Sequence, residues 1–472
     1  MFFRLATCLI LVGSLLGACG RIQSKDGEIE TPAPPILFIT SEALRADAVG
    51  LLSGPNPVWP NLRTPHLDQL IGESDWVGTG VAPSSETLPA IASLLTGLRP
   101  WQHQVLHESK PKLQRANQTL AEALKEQGYD TTAYVDSRPL VQGRGFEQGF
   151  DLYQPLRGGG RTRAKLASWG QGRNFVWIHL AAPLPPYPKQ ATVPGRKADW
   201  IRGSDLEKYR NPSAILSEGL RKRFLQGYSH RVALLDREVG RYLAAVRESG
   251  QWDRALIVFT SAHGEEFGEA SQVGHGNNLS RTSLEVPLII KLPKNSRLRF
   301  PEEKGGRIAT ARIWATILEV AGGRSSPAIV SSLFRNGPEG IVSELYRVNG
   351  TNQFSLLVED TQLKRVVDFA ATDPDYFVSR RRLEAVSEGP RKQRAREQFL
   401  RRHGEGFLSS PPFSGLGSNA RVEVEDWGTG EESRLLDPDQ QREMERALEM
   451  AWASFVDQER TPREEAGWRS ER

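Results

Sequence analysis

The sequence predicts an α/β protein whose buried strands carry a site at their carboxyl ends. Apolar runs rich in β-branched residues at 36–40, 175–179, 256–259 and 286–290 read as strands buried on both faces. Segment 120–133 reads as a helix followed by a strand, and 204–247 carries helical periodicity. The run at 256–259 stops abruptly in Thr260-Ser261-Ala262-His263-Gly264-Glu265. Ligands gather at the carboxyl ends of such strands in open α/β sheets, so chemistry is expected in this loop. With 472 residues, the chain can hold one large domain and a smaller one.

Charge composition excludes little and suggests no nucleic-acid partner: 61 Lys and Arg stand against 57 Asp and Glu, a net +4. Both cysteines lie near the start. Arg4, an apolar stretch over 5–16 and then Leu16-Gly17-Ala18-Cys19 read as a bacterial lipoprotein signal cleaved before Cys19. The apolar stretch is too short to span a bilayer comfortably. An ordinary signal peptide or a weak anchor is the alternative. On the lipid reading Cys19 is acylated and the mature chain keeps no thiol for a disulfide or a cysteine metal cluster. Gly20 after it points to the outer membrane of a bacterial cell envelope. Residues 1–19 are then a signal, 20–35 a polar, proline-ended tether, 36–345 the main domain and 346–472 a smaller one.

The stretch FTSAHGEEFGE at 259–269, followed by GHG at 274–276 and EVPLII at 285–290, resembles the closing metal segment of the sulfatase family in the alkaline phosphatase superfamily. That family usually writes TSDHGE, so Ala262 stands where a metal-binding Asp is expected, while His263 is kept. SEALRAD at 41–47 resembles the family's first metal segment, with Glu42 in the place of Asp. Hard divalent cations accept either carboxylate. A lone Glu after a strand is otherwise simply solvated.

TPHLDQL at 64–70 resembles another family helix, and TLPAIASLLTG at 87–97 resembles the nucleophile segment, which places Thr87 on the nucleophile. Thr cannot yield the formylglycine aldehyde used by sulfatases with Cys or Ser there. As a nucleophile it needs a metal to hold it as an alkoxide. Alternatively, Thr87 is a helix N-cap, at a helix start that also attracts an anion. HLAAPLPPY at 179–187 puts Leu184 where the family has a substrate-contacting His. His179 at the strand end reads as a packed, hydrogen-bonded histidine rather than a catalytic one.

Further matches at 145–153, 234–240 and 433–438 follow in family order, with a helix expected over 308–322, strands over 366–377 and a closing helix over 440–456. The Arg-rich run 380–402 reads as a solvated helix face, with a contact to anionic lipid or polymer as the alternative. The resemblance implies an alkaline-phosphatase/sulfatase-like mixed sheet with helices on both faces plus a small C-terminal α+β subdomain. It also implies a phosphate- or sulfate-ester ligand and a divalent cation, Ca, Mg, Mn or Zn, on Glu42, Thr87 and His263, with His275 toward the substrate. Ala262 and Leu184 argue against it. Losing even an outer partner of a metal site costs roughly 10–100-fold in affinity or activity. Glu265, Glu266 and Glu269 are the carboxylates near enough in sequence to compensate. The expectation is therefore a membrane-anchored relative with weakened or lost catalysis, holding one such cation or none. The alternative is a working metal-dependent ester hydrolase or transferase with Thr87 as nucleophile.

Overall fold

The computed structural model describes residues 33–347 apart from 55, 109–111, 171, 189–199, 203, 205, 207, 210–215, 270–272, 302–306, 324–329 and 336–340; beyond these it describes 353–359, 363–370, 421–426 and 432–433. The signal segment, nearly all of the tether, the Arg-rich run and the expected closing helix lie outside the described residues.

In chain order the elements are β1 (Ile36–Ser41), α1 (Gly50–Ser53), α2 (Pro65–Gly72), β2 (Trp76–Val81), α3 (Thr87–Thr96), α4 (Pro100–His103), α5 (Leu120–Glu126), β3 (Asp130–Asp136), β4 (Leu152–Pro155), α6 (Gly160–Ala167) and β5 (Asn174–Leu180). There follow β6 (Tyr187–Pro188), β7 (Trp200–Ile201), α7 (Glu218–Glu248), β8 (Leu256–Ser261), β9 (Glu266–Phe267), β10 (Val273–Gly274), α8 (Arg281–Leu284), β11 (Glu285–Lys291), β12 (Arg307–Ala309) and α9 (Arg312–Val320). The chain then enters β13 (Ile341–Arg347), β14 (Gln353–Glu359), β15 (Leu363–Ala370), β16 (Arg421–Asp426) and β17 (Glu432–Ser433).

The main sheet has eight strands in the order β12-β2-β11-β8-β1-β5-β3-β4. All neighbours run parallel except β11, which is antiparallel to both β8 and β2. Strand β1 is central and buried along its whole length, as its unbroken apolar run requires. Its period-2 alternation splits the core: Ile36 and Phe38 join Leu88, Ile91 and Leu95 of α3 and Trp314 and Ile317 of α9 on one face. Leu37 and Ile39 join Tyr228, Val232, Leu235 and Val239 of α7 on the other. The sheet is thus mixed and covered by helices on both faces, as expected.

Three details differ from the sequence reading. The long helix starts at Glu218 rather than at 204; a helix interior does not tolerate Pro212 between the two. Ile308, expected in a helix, lies in the edge strand β12 beside β2, and the helix begins only at Arg312. The small antiparallel sheet β13-β14-β15-β16-β17 opens at Ile341, slightly before the expected boundary at 346.

Candidate active site

The parallel register Ser41–Leu180 and Ser41–Ser261 brings the carboxyl ends of β1, β5 and β8 to one edge. Backbone bonds then lace their loops: Ala262 N–H to Ser41 O (2.8 Å), His263 N–H to Glu42 O (3.0 Å) and Glu42 N–H to Leu180 O (3.0 Å). Ser261 Oγ is the knot, accepting from Leu44 N (2.9 Å) and lying 2.7 Å from Glu42 O and 2.9 Å from His263 O. Since β2 runs parallel to this set, the helix that follows it, α3, also starts at this edge. Thr87 is its first residue.

Thr87 and His263 meet directly, with Thr87 Oγ1 2.9 Å from His263 Nε2 and both residues buried. His263 Nδ1 lies 2.7 Å from the Gly264 carbonyl, which can only accept, so Nδ1 carries a proton. In the neutral imidazole Nε2 then accepts from the Thr87 hydroxyl. Glu86 holds the N-cap position without a side-chain capping bond, so the alternative role of Thr87 as N-cap is not the one adopted. His275, 15% exposed, lies over His263 with ring centroids 4.3 Å apart, and its Nδ1 is 3.1 Å from Glu265 Oε1. Chemically, the pair is a hydroxyl with a base poised to take its proton.

Glu42 is not solvated but 2% exposed, and its Oε1 is 3.2 Å from His179 Nε2. A buried chain stands behind it: Trp177 Nε1 donates to Thr40 Oγ1 (2.9 Å), which is 2.8 Å from His179 Nδ1. With Thr40 donating to Nδ1, every group in the chain is satisfied when His179 is neutral with its proton on Nε2. His179 is thus the packed, doubly bonded histidine expected.

The residues fit a divalent cation poorly. The Ala262 methyl is fully buried in the apolar layer that includes Phe38 and Val258. One Glu42 oxygen is engaged by an imidazole and the His263 Nε2 faces Thr87. Among the described residues no three His, Cys, Asp or Glu side chains converge as a metal-holding group. Leu184 lies partly buried in the turn after β5 and bonds through its backbone alone, its amide donating to Ala181 O (3.0 Å) and its carbonyl accepting from Arg231 Nε (3.1 Å).

Of the three carboxylates that might compensate for Ala262, two are committed elsewhere. Glu269 accepts from Arg45 (2.7 Å), and Glu266 is held by Ser280, Asn278 and Thr282. Burial pushes Glu266 above the ordinary carboxylate range, against the lowering effect of those bonds. Glu265 gives one oxygen to His275; its other oxygen is buried without a hydrogen-bond partner.

Two carboxylates that the sequence did not single out form a chain of bonds at the Thr87 amide. Glu108 Oε1 accepts from the Thr87 amide (3.2 Å), and Glu86 Oε2 accepts from the Glu108 amide (3.1 Å). Gly276, at φ +72°, lies against Glu86, whose Cγ is 3.0 Å from where a Cβ would stand. No motif marks Glu108, 21 residues after Thr87; only the fold brings it there.

Comparison with known proteins gives the chain a family. The family model described as Sulfatase matches residues 34–156 and 164–323. The chain is 27% identical over 387 residues to the multifunctional alkaline phosphatase superfamily protein PehA of Trinickia caryophylli, covering 62% of this chain and 74% of that protein. It is 24% identical over 318 residues to an ulvan-active sulfatase of Formosa agariphila, covering 60% and 61% respectively. The phosphonate monoester hydrolase of Agrobacterium radiobacter superposes with a TM-score of 0.54 at 18% identity, over 78% of this chain and 96% of that one. The matched segments make up more than half of the sequence, and the chain belongs to the sulfatase family of the alkaline phosphatase superfamily.

Proposed function

We propose that this sulfatase-family chain is a membrane-anchored relative of the sulfate- and phosphate-ester hydrolases in which catalysis is weakened or lost. It is held at a bacterial envelope through lipid on Cys19 and keeps a pocket for an anionic ester. The observation that carries the reading is the buried Ala262 methyl where the family's metal carboxylate is expected, beside a Glu42 already engaged by His179. Without a cation, the Thr87–His263 pair has a base for its proton but lacks the charge that would polarise a sulfuryl or phosphoryl oxygen.

A working enzyme is the second reading, with Thr87 as nucleophile. One observation favours it: the unpartnered buried oxygen of Glu265, since such an atom calls for a water or an ion.

The test is turnover of aryl phosphate, phosphodiester and aryl sulfate by the full-length protein in detergent, compared with Ala262→Asp combined with Leu184→His. Turnover confined to the double variant and dependent on added cation is expected. Robust cation-dependent turnover by the wild type, abolished by Thr87→Ala, would overturn the proposal. Anchoring is checked separately by incorporation of labelled palmitate, which Cys19→Ala should abolish.

A further inference from the structure

The start of a helix draws anions because its first amide groups have no partner within the helix. In α3 few such donors exist. Pro89 has no N–H, and the Ala90 amide already bonds Glu86 O (3.2 Å), which leaves Thr87 and Leu88 as the first-turn donors. The Thr87 donor goes to Glu108, whose own amide is held by Glu86, whose side chain in turn packs against Gly276 beside His275. One carboxylate therefore sits on the Thr87 amide, with a second bonded behind it. The neighbouring buried Ser85 Oγ has no hydrogen-bond partner, an acceptor or donor left over at the same turn.

We infer that Glu108 is a resident anion and specificity-determining residue: its carboxylate occupies the anion position at the start of α3 and must be displaced before a tetrahedral oxyanion can bind. This rests on the reading of the pocket as poor in cations, because a bound metal would offset the carboxylate's charge. The mechanism is twofold. Glu108 consumes a donor that a sulfate or phosphate oxygen would use, and its charge repels the incoming anion at short range.

The two effects separate by substitution. Glu108→Gln keeps an oxygen acceptor for the Thr87 amide but removes the charge. Glu108→Ala removes both.

The experiment is calorimetric titration of the full-length protein in detergent with inorganic sulfate, and then with inorganic phosphate, at constant ionic strength and with EDTA present. Circular dichroism verifies the fold of each variant. Glu108→Ala is expected to bind sulfate at least about tenfold more tightly than the wild type, with Glu108→Gln in between. Equal affinity for all three chains overturns the inference, and so does absence of sulfate binding by both variants. Failure of the cation-poor reading is seen elsewhere, as cation-dependent ester turnover by the wild type. The two failures are therefore read from different measurements.

Discussion

Glu42 and Arg45 leave the same loop after β1 and end in opposite charge environments. Arg45, 3% exposed, is gripped by Asp47 through two bonds of 2.9 and 2.7 Å and by Glu269 at 2.7 Å. Its guanidinium also stands over the Trp59 ring, 5.2 Å from the centroid. Burial alone would lower its basicity, but Asp47 and Glu269 outweigh that and raise it. Among the described residues, the Glu42 side chain, three residues earlier, meets an imidazole rather than a guanidinium, and Glu265 likewise meets His275. One region neutralises its buried charges with a cation from the chain itself; the other sets its carboxylates against histidines. The first is scaffold. The second is the pocket proposed above to have lost its metal carboxylate at Ala262.

The largest effect should come from breaking the scaffold side. Arg45→Met removes the buried cation that Asp47 and Glu269 share, leaving Glu269 with the Phe267 amide and a more distant Arg221 (3.8 Å), and should cost about 3 kcal/mol in urea unfolding. A loss below about 1 kcal/mol would place the Arg45 cluster among surface ion pairs and remove the contrast. Next comes the knot between the two regions. Ser261→Ala deprives the buried Leu44 amide of its acceptor and should cost about 1–3 kcal/mol. Because Ser261 also ties the Glu42 and His263 loops, the same variant should increase amide exchange at both.

The smallest effect lies at the opposite end of β11, where Lys291 is 6% exposed and donates to the carbonyls of Trp252, Ala255 and Leu292. Burial lowers its pKa from 10.5 to about 8, against the opposing pull of Asp75 and Asp253. Between those two values the unfolded chain holds a proton that the folded chain has lost. Lys291 therefore makes stability rise with pH across that window, and the penalty of its buried charge persists below it. Lys291→Met should flatten this part of the wild-type pH–stability curve. An unchanged slope would assign it to other groups.

Much of the fold was legible because the central strands are buried on both faces and read as unbroken apolar runs. The edge strand β12 was not: three residues beginning with Arg307 carry neither period nor apolar continuity. In the site, Thr87 and His263 stood out through their motifs, and the structure joins them. The commitment of His179 to Glu42 depends on the register that sets Thr40 beside His179 across β1 and β5, which local pattern does not reveal. Glu108 was invisible for a related reason, since it reaches Thr87 only after the chain turns back through α4.

The most direct test of the account is the amount of divalent cation retained by the full-length protein after dialysis against equimolar Ca, Mg, Mn and Zn, measured by elemental analysis for wild type and Ala262→Asp. The account predicts no stoichiometric cation on the wild type and recovery of one per chain when the carboxylate is restored. One tightly held cation per wild-type chain, lost on Thr87→Ala or His263→Ala, would contradict it.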